Sequence, residues 1–182
     1  MNDNALHSRS TPLDLELIEV VDRRNRPLMA LPREDVHRQR LLHRSVLILV
    51  FDRHNRLYIQ KRGLMKTLYP GRWDVSAGGH VLAGESCLDA ALREVQEELG
   101  VTPERLVLRQ EIPAAPETAY EFVSLFSAGS VTAEIFPNEK EVEDGYFVEP
   151  GELDYMIREF PELLTPALLF FARQNLLFPV KM

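Results

Sequence analysis

The sequence has 182 residues, of which 45% are hydrophobic and 27% charged, with a formal net charge of -7 and one cysteine. This length and composition are typical of a single folded domain and exclude a disordered chain. The acidic balance disfavours nucleic-acid partners, which need clustered Lys and Arg, and a lone cysteine excludes an internal disulfide and a cysteine-based zinc site.

The chain has no apolar run close to the roughly 20 residues that span a bilayer, and its first residues lack the apolar core of a secretory signal. We therefore expect a cytoplasmic protein that does not bind membranes. Residues 1–12 are polar and predict a flexible tail, which leaves residues 13–182 for the domain.

The first half of the chain predicts mainly strands. Alternation, apolar runs and turn residues indicate strands over 13–21, 28–31, 45–52 and 56–62, and a short helix over 32–44. The strands over 45–52 and 56–62 are expected to form a hairpin. Glycines and a proline predict a loop over 63–73, and "WDVSAGGH" then predicts one short strand that ends in glycines.

A helix is predicted to begin at Cys87, because Ser86 and Asp89 fit a capping box, and to end at Gly100. Its core face is expected to be the apolar stripe of Leu88, Ala91, Leu92, Val95 and Leu99.

The second half continues with strands near 105–112, 120–128 and 145–149 and with helices near 151–159 and from Pro166, capped by Thr165. This mixture of strands and interspersed helices predicts an α/β (α+β) domain.

Glu94, Glu97 and Glu98 lie together on one arc of the predicted helix, where like charges cost a few tenths of a kcal/mol per pair, about 0.2–0.5. One interpretation is a solvated helix face. The other is a site for a hard divalent cation, since Arg93 is the one basic neighbour and no lysine occurs between residues 67 and 139.

Residues 79–101 resemble the signature of the Nudix hydrolase family, G-x5-E-x7-R-E-U-x-E-E-x-G-U, in which U is aliphatic. Its fixed positions are filled by Gly79, Glu85, Arg93, Glu94, Val95, Glu97, Glu98, Gly100 and Val101. The resemblance implies a Nudix-type α/β/α sandwich with a mixed central sheet. It also implies a Mg²⁺- or Mn²⁺-dependent enzyme that cleaves the diphosphate linkage of a small nucleoside- or other X-diphosphate.

The same resemblance implies the roles of individual residues. Glu94 and Glu98 would be the main metal ligands, Glu97 a ligand or general base, Gly79 a ligand through its carbonyl, and Arg93 the residue that orients the carboxylates. A further ligand or base is implied in the acidic segment "NEKEVEDGYFV". Glu141 matches best, and Glu139 is the alternative.

The flanking segments "VVDRRNRPL", "LLHRSV" and "QKR…YPGRWDVSAGGH…GES" resemble the branch that includes isopentenyl-diphosphate isomerase and its hydrolase relatives. The isomerase pattern Trp-x-x-Ser-x-Cys-Gly-His carries a catalytic cysteine, whereas this chain has Gly78 at that position. The missing nucleophile and the intact box favour hydrolysis. An isomerase and a non-catalytic diphosphate-binding module remain as alternative functions.

Two more groups of residues follow from this branch. His43 and His80 stand where the isomerase has two metal-binding histidines, and His37 is one residue out of step with a third. They form a candidate second metal site; the alternative is ordinary hydrogen-bonding histidines. Arg62, Lys66 and Arg72 are candidates for phosphate contact, or else belong to a solvated basic loop. The expected partner is a small-molecule diphosphate, and a homodimer is expected by analogy with other small Nudix-type domains.

Overall fold

A computed structural model describes residues 16–179, so the predicted tail over 1–12 lies outside the described residues. The strands are β1 (Leu17–Val21), β2 (Pro27–Pro32), β3 (His43–Phe51), β4 (Leu57–Arg62), β5 (Trp73–Asp74), β6 (Ala77–His80), β7 (Val107–Ile112), β8 (Glu121–Ser130) and β9 (Val142–Val148). The helices are α1 (Arg33–Gln39), α2 (Cys87–Leu99), α3 (Pro150–Glu159) and α4 (Pro166–Arg173). Two short 3-10 helices cover Pro116–Thr118 and Pro161–Leu163.

The nine strands form one mixed sheet with β3 near its centre. β3 runs parallel to β8 and antiparallel to β1, β4 and β6, while β4 pairs antiparallel with β5 and β9. Helix α2 packs on one face, where Ala90 and Val95 are fully buried. Helices α3 and α4 cover the other face through Leu153, Leu168 and Phe171. The predicted α/β/α arrangement and mixed sheet are confirmed.

The predicted helix caps are also confirmed. The Ser86 hydroxyl accepts a hydrogen bond from the Asp89 amide at 3.1 Å, and the backbone of Gly100 turns to the left-handed region at φ 65° to end α2. The Thr165 hydroxyl accepts from the Leu168 amide at 3.1 Å and begins α4. The two hydroxyls pair amides that the helix starts leave unpaired, and the Gly100 amide donates to the Gln96 carbonyl at the end of α2.

The helix predicted over 32–44 was too long. Arg40 adopts a left-handed backbone at φ 53°, which ends α1 at Gln39, and β3 begins at His43. The predicted hairpin was wrong over most of its length. In the described residues β3 and β4 share only the pair Phe51 and Leu57, because β3 pairs farther along this edge with β6 and β4 pairs with β5.

The strand predicted over 73–80 is two strands separated at Val75 and Ser76. The buried Ser76 hydroxyl accepts from the Val50 amide at 2.9 Å and donates to the Tyr58 carbonyl at 2.6 Å. This side chain takes the place of ladder hydrogen bonds, so that β5 pairs with β4 while β6 pairs with β3.

The predicted core face of α2 was partly wrong. Leu88 and Leu92 are 46% and 38% exposed, whereas Glu94 and Glu98 are 7% and 1% exposed. The small side chains of Ala90 and Ala91, both fully buried, and the glycines of β6 let helix and sheet approach closely. The helix is therefore rotated so that two of its glutamates face the sheet instead of solvent.

Candidate active site

A cavity of about 350 Å³ opens beside β6 and contains two groups of ionisable side chains. The carboxylate cluster consists of Glu94, Glu97, Glu98 and Glu141, and the histidine cluster consists of His37, His43, His80 and Glu121. Members of both clusters line this one cavity, which joins them. A pocket of this volume is within the ordinary range for a small-molecule site.

Glu98 is held rigidly at the centre of the carboxylate cluster. Its Oε2 accepts hydrogen bonds from Gln60 Nε2 at 2.9 Å and from the Gly78 amide at 3.1 Å. Its Oε1 lies 3.2 Å from the ammonium of Lys66. Glu94, one turn earlier on the same face of α2, places its carboxylate against Gly79. Helix α2 and strand β6 thus fix the two main predicted ligands.

Arg93 connects the carboxylates to one another. Its Nε and Nη2 form a bidentate pair with Glu85 at 2.9 and 3.0 Å, and its Nη1 lies 2.7 Å from Glu94 and 3.2 Å from Glu97. Nη2 also donates to the His80 carbonyl at 2.9 Å. A planar guanidinium suits several carboxylates at once, and here it fixes their orientation.

The carboxylates repel one another in a buried setting. Burial, together with the neighbouring Glu98, raises the pKa of Glu94 to about 7. Burial likewise raises the pKa of Glu98 above its usual value, against the opposing effect of Lys66. Such crowding of anions is relieved by a bound cation.

Gly79 allows the carboxylate of Glu94 to lie directly against strand β6. A β-carbon at Gly79 would lie 2.1 Å from Glu94 Oε1, so a glycine is required for this carboxylate to lie against the strand. The donor set is made of oxygen atoms, which are the ligands that Mg²⁺ and Mn²⁺ prefer. The residues present fit a hard divalent cation.

Three basic residues were predicted to contact phosphate, and the structure places them differently. Lys66 lines the cavity, with Nζ 2.5 Å from Glu141 Oε2, and carboxylates on both sides hold its pKa above the usual value although burial opposes this. Arg62 also lines the cavity and pairs with Asp74 at 3.1 Å. Arg72 lies over the ring of Tyr69, outside the lining residues.

The structure separates Glu141 from its alternative. Glu141 lines the cavity and, through Lys66, is connected to Glu98. Glu139 instead lines a different groove between β9 and the segment 131–137. Of the two predicted glutamates, only Glu141 joins the carboxylate cluster.

The histidine cluster brings four potential ligand atoms within 4.8 Å of one another. His37 Nε2 lies 2.9 Å from His80 Nε2, and Glu121 Oε1 lies 3.5 Å from His43 Nε2 and 3.7 Å from His80 Nε2. The residues come from α1, β3, β6 and β8. His37, which the sequence placed one residue out of step, belongs to this cluster.

Burial sets the charge of these groups. It lowers the pKa of His80 and, together with the neighbouring imidazoles, lowers that of His37 to about 4. Burial alone would raise the pKa of Glu121, but contacts with His43 and His80 hold it well below its usual value. Neutral imidazoles beside an ionised carboxylate are the protonation states that metal binding requires.

His43 supplies a further observation. Its Nδ1 lies 2.8 Å from the Leu41 carbonyl, and since a carbonyl only accepts, this nitrogen carries the proton. Nε2 is buried, lies 3.5 Å from Glu121 Oε1 and forms no hydrogen bond among the described residues. An imidazole fixed in this way through its other nitrogen is typical of a metal ligand.

Sequence reasoning missed Glu121 and Gln60. Glu121 shares a strand face with the buried Val123 and Leu125, and a charged residue at such a position was the signal available. Gln60 is 3% exposed and holds Glu98, but a glutamine in an apolar strand carries no distinctive pattern. Only the fold brings it to the carboxylate cluster.

The model of the NUDIX domain matches residues 41–168. The chain belongs to the Nudix family. This confirms the family and the enzyme class predicted from the sequence, a Nudix pyrophosphohydrolase, whose members act on substrates that contain a diphosphate.

Individual relatives agree with this assignment. A protein described as an uncharacterised Nudix hydrolase from Pseudomonas aeruginosa is 48% identical over 88 residues, which cover 48% of this chain and 52% of the relative. An isopentenyl-diphosphate Delta-isomerase from Streptomyces coelicolor is 39% identical over 118 residues, covering 62% and 59%. The matched segments thus span little more than half the length of these two relatives.

A crystal structure of a Deinococcus radiodurans protein, DR0079, superposes with a TM-score of 0.78 at 24% sequence identity, over 87% of this chain and 98% of that protein. This likeness shows the fold. Between residues 16 and 179, no helix is long and apolar enough to cross a membrane. The cytoplasmic location stays a prediction.

Proposed function

We propose that this Nudix protein hydrolyses the diphosphate linkage of a small nucleoside- or other X-diphosphate with the help of Mg²⁺ or Mn²⁺. The observation that carries the proposal is the burial of Glu94 and Glu98 side by side against the glycines of β6. Two buried carboxylates with raised pKa values are costly in a fold unless they serve a cation.

Glu94, Glu98 and the Gly79 carbonyl would hold the cation, with Glu97 and Glu141 as further ligands. When bound, it would neutralise charge on the diphosphate and make water more acidic. Arg93 keeps the carboxylates in place from behind, and Gln60 fixes the rotamer of Glu98.

The protein's own groups carry the proton transfer. A water oxygen forms a bond to phosphorus, the bridging P–O bond breaks, and the proton of the water passes to the carboxylate of Glu97 or Glu141. Both side chains line the cavity and are more exposed than Glu98, which lets them reach a water next to the substrate. Lys66 and Arg62 would contact the phosphates, while Arg72 remains a candidate at the outer side of the loop.

The proposed function is tested by measuring the release of phosphate products from a panel of diphosphates in the presence of Mg²⁺, for wild type and for Glu98→Gln. We expect the variant to lose activity by more than about 100-fold, which exceeds the loss typical when a residue that only orients a metal ligand is removed. Glu143→Gln is the matched control, because Glu143 pairs with Lys61 at the surface. Equal turnover by wild type and Glu98→Gln would contradict the proposed function. Binding of a diphosphate without turnover in either would favour a non-catalytic binding module.

We also propose a second metal site in the histidine cluster. Three features support it: the buried Nε2 of His43, which forms no hydrogen bond among the described residues, the lowered pKa values of His37 and His80, and the ionised Glu121. Imidazole nitrogen with one carboxylate oxygen suits Zn²⁺ or Mn²⁺. Purified protein should carry such a metal, and His80→Asn should lose it while retaining the Mg²⁺ response. A variant that keeps its full metal content would exclude the site.

The isomerase is the second candidate function, and the similarity to the Streptomyces isomerase together with the histidine cluster favours it. Gly78 argues against an isomerase, because it stands where the isomerase pattern has its catalytic cysteine. Incubation with isopentenyl diphosphate separates the two functions: hydrolysis of the diphosphate linkage releases phosphate and leaves a monophosphate, whereas an isomerase shifts the double bond and releases no phosphate. A homodimer stays a prediction.

A further inference from the structure

The loop between β4 and β5 carries a lysine into the carboxylate cluster. Lys66 Nζ lies 2.5 Å from Glu141 Oε2 and 3.2 Å from Glu98 Oε1, and the side chain is 21% exposed. The Gly63 amide donates to the Glu141 carbonyl at 2.8 Å, so the start of the loop is fixed against the segment that holds Glu141. The ammonium therefore bridges two carboxylates that come from distant parts of the chain.

The two oxygens of Glu98 are used differently. Oε2 already accepts two hydrogen bonds, from Gln60 Nε2 and from the Gly78 amide. Oε1 contacts only Lys66 among the described residues. A cation that approaches Glu98 from the cavity must use Oε1, and this is the oxygen that the ammonium holds.

The other cations of the cavity have partners of their own. Arg93 pairs with Glu85, Glu94 and Glu97, Arg62 pairs with Asp74, and Arg33 pairs with Glu16. Lys66 is the one cavity-lining cation, among the described residues, that pairs with Glu98 and Glu141. Since an ammonium is a point charge on a flexible stem, it can leave these carboxylates without disturbing the backbone.

We propose that Lys66 is a positioning residue that competes with the divalent cation for Glu98 and Glu141, so that cation binding releases its ammonium toward the phosphates of the substrate. This inference rests on the metal centre of the proposed function. It couples two events: a cation that takes the carboxylate oxygens also frees a positive charge for the substrate. Such a coupling is reciprocal, so removing the ammonium must strengthen cation binding.

Calorimetric titration with Mg²⁺ alone tests the competition. Mg²⁺ is chosen because it favours carboxylate oxygens over the imidazoles of the histidine cluster. We expect Lys66→Met to bind Mg²⁺ about 5- to 50-fold more tightly than wild type, in the usual range of coupling between sites. Lys61→Met removes the same charge from an exposed pair with Glu143 and should leave the affinity unchanged.

A second measurement excludes a merely structural role. In saturating Mg²⁺, the non-hydrolysable methylenediphosphonate should bind Lys66→Met about tenfold or more weakly, because the freed ammonium is missing. Damage to the site would weaken both ligands, whereas the proposal requires opposite changes. Both titrations are repeated with Lys66→Gln, whose uncharged side chain still accepts and donates hydrogen bonds, in case Lys66→Met does not fold.

The titrations distinguish failure of the Lys66 competition from failure of the proposed metal centre. Equal or weaker Mg²⁺ binding by the Lys66 variants, with normal binding by wild type, overturns the competition and leaves the metal centre standing. Absence of Mg²⁺ binding in wild type, control and variants alike overturns the proposed metal centre and the competition together.

Discussion

Leu47 occupies the space that a side chain at Gly78 would need. A β-carbon at position 78 would lie 2.5 Å from Leu47 Cδ2 and 2.8 Å from the carbonyl oxygen of Val46. The leucine tip could rotate away, but the carbonyl belongs to the pairing of β3 with β6 and cannot move without shifting the sheet. The position that holds the catalytic cysteine in the isomerase pattern is thus closed to a side chain in this fold.

We expect Gly78→Cys to lower the free energy of unfolding by about 1–3 kcal/mol, the usual cost of overpacking. It should confer no isomerase activity, because the sheet must distort to admit the thiol. Urea unfolding and an isomerisation assay measure the two effects. Gly151→Ala is the control, since a β-carbon there meets no atom within 4 Å. Full stability together with isomerisation by Gly78→Cys would show that the space is available after all.

Gly79→Ala should separate Glu94 from the strand. The new methyl group would overlap the carboxylate, whose oxygens and Cδ all lie within 2.6 Å of the ideal β-carbon position. We expect Mg²⁺ affinity to fall by at least about tenfold, as for loss of a residue that orients a ligand. Calorimetric titration measures the change, with Gly151→Ala again as the control. Unchanged affinity would mean that Glu94 can ligate the cation from another rotamer.

Arg93→Lys should weaken both the fold and the site. A lysine cannot keep the bidentate contact with Glu85 while also reaching Glu94 and the His80 carbonyl. We expect the free energy of unfolding to fall by about 1.5–3 kcal/mol, the range for hydrogen bonds to charged groups. Chemical denaturation measures this. Arg158→Lys alters an exposed pair with Glu159 and should change stability little. Similar losses in both variants would contradict a central role for Arg93.

The sequence predicted the parts of the fold that local chemistry decides. The capping box at Ser86 and the terminal Gly100 set the bounds of α2, because each satisfies backbone groups within a few residues. The spacing of the Nudix box likewise predicts Glu94 and Glu98 on one helix face. These features depend on neighbours in the chain, which a sequence displays directly.

Long-range contacts decided the rest. The hairpin of β3 and β4 is limited to one pair because β6 occupies the edge of β3 next to β4, and β5 occupies the facing edge of β4. The burial of Glu94 and the exposure of Leu92 follow from how closely α2 approaches the glycines of β6. The spacing of apolar residues along the helix does not reveal this distance. Glu121 entered the site for the same reason, since β8 pairs in parallel with β3 and brings it beside His43.

The lowered pKa of His37 makes the stability of the fold depend on pH below neutrality. Burial and the adjacent imidazoles lower its pKa to about 4, whereas the ordinary pKa of a histidine is 6.5. Because the folded state binds fewer protons than the unfolded state between these values, the contribution to stability is fully present above pH 6.5. It is lost as the pH falls from 6.5 toward 4.

Urea unfolding in the presence of a chelator, at pH 7.0 and at pH 5.0, measures this loss. We expect wild type to lose about 1–2 kcal/mol more than His37→Asn over this interval, since one unit of pKa shift corresponds to about 1.4 kcal/mol. His54→Asn is the matched control, because His54 is an exposed histidine outside the cluster and its removal should leave the wild-type pH dependence intact. If His37→Asn and wild type follow parallel curves, His37 is not held neutral by the fold, and the histidine cluster loses one of the protonation states that metal binding needs.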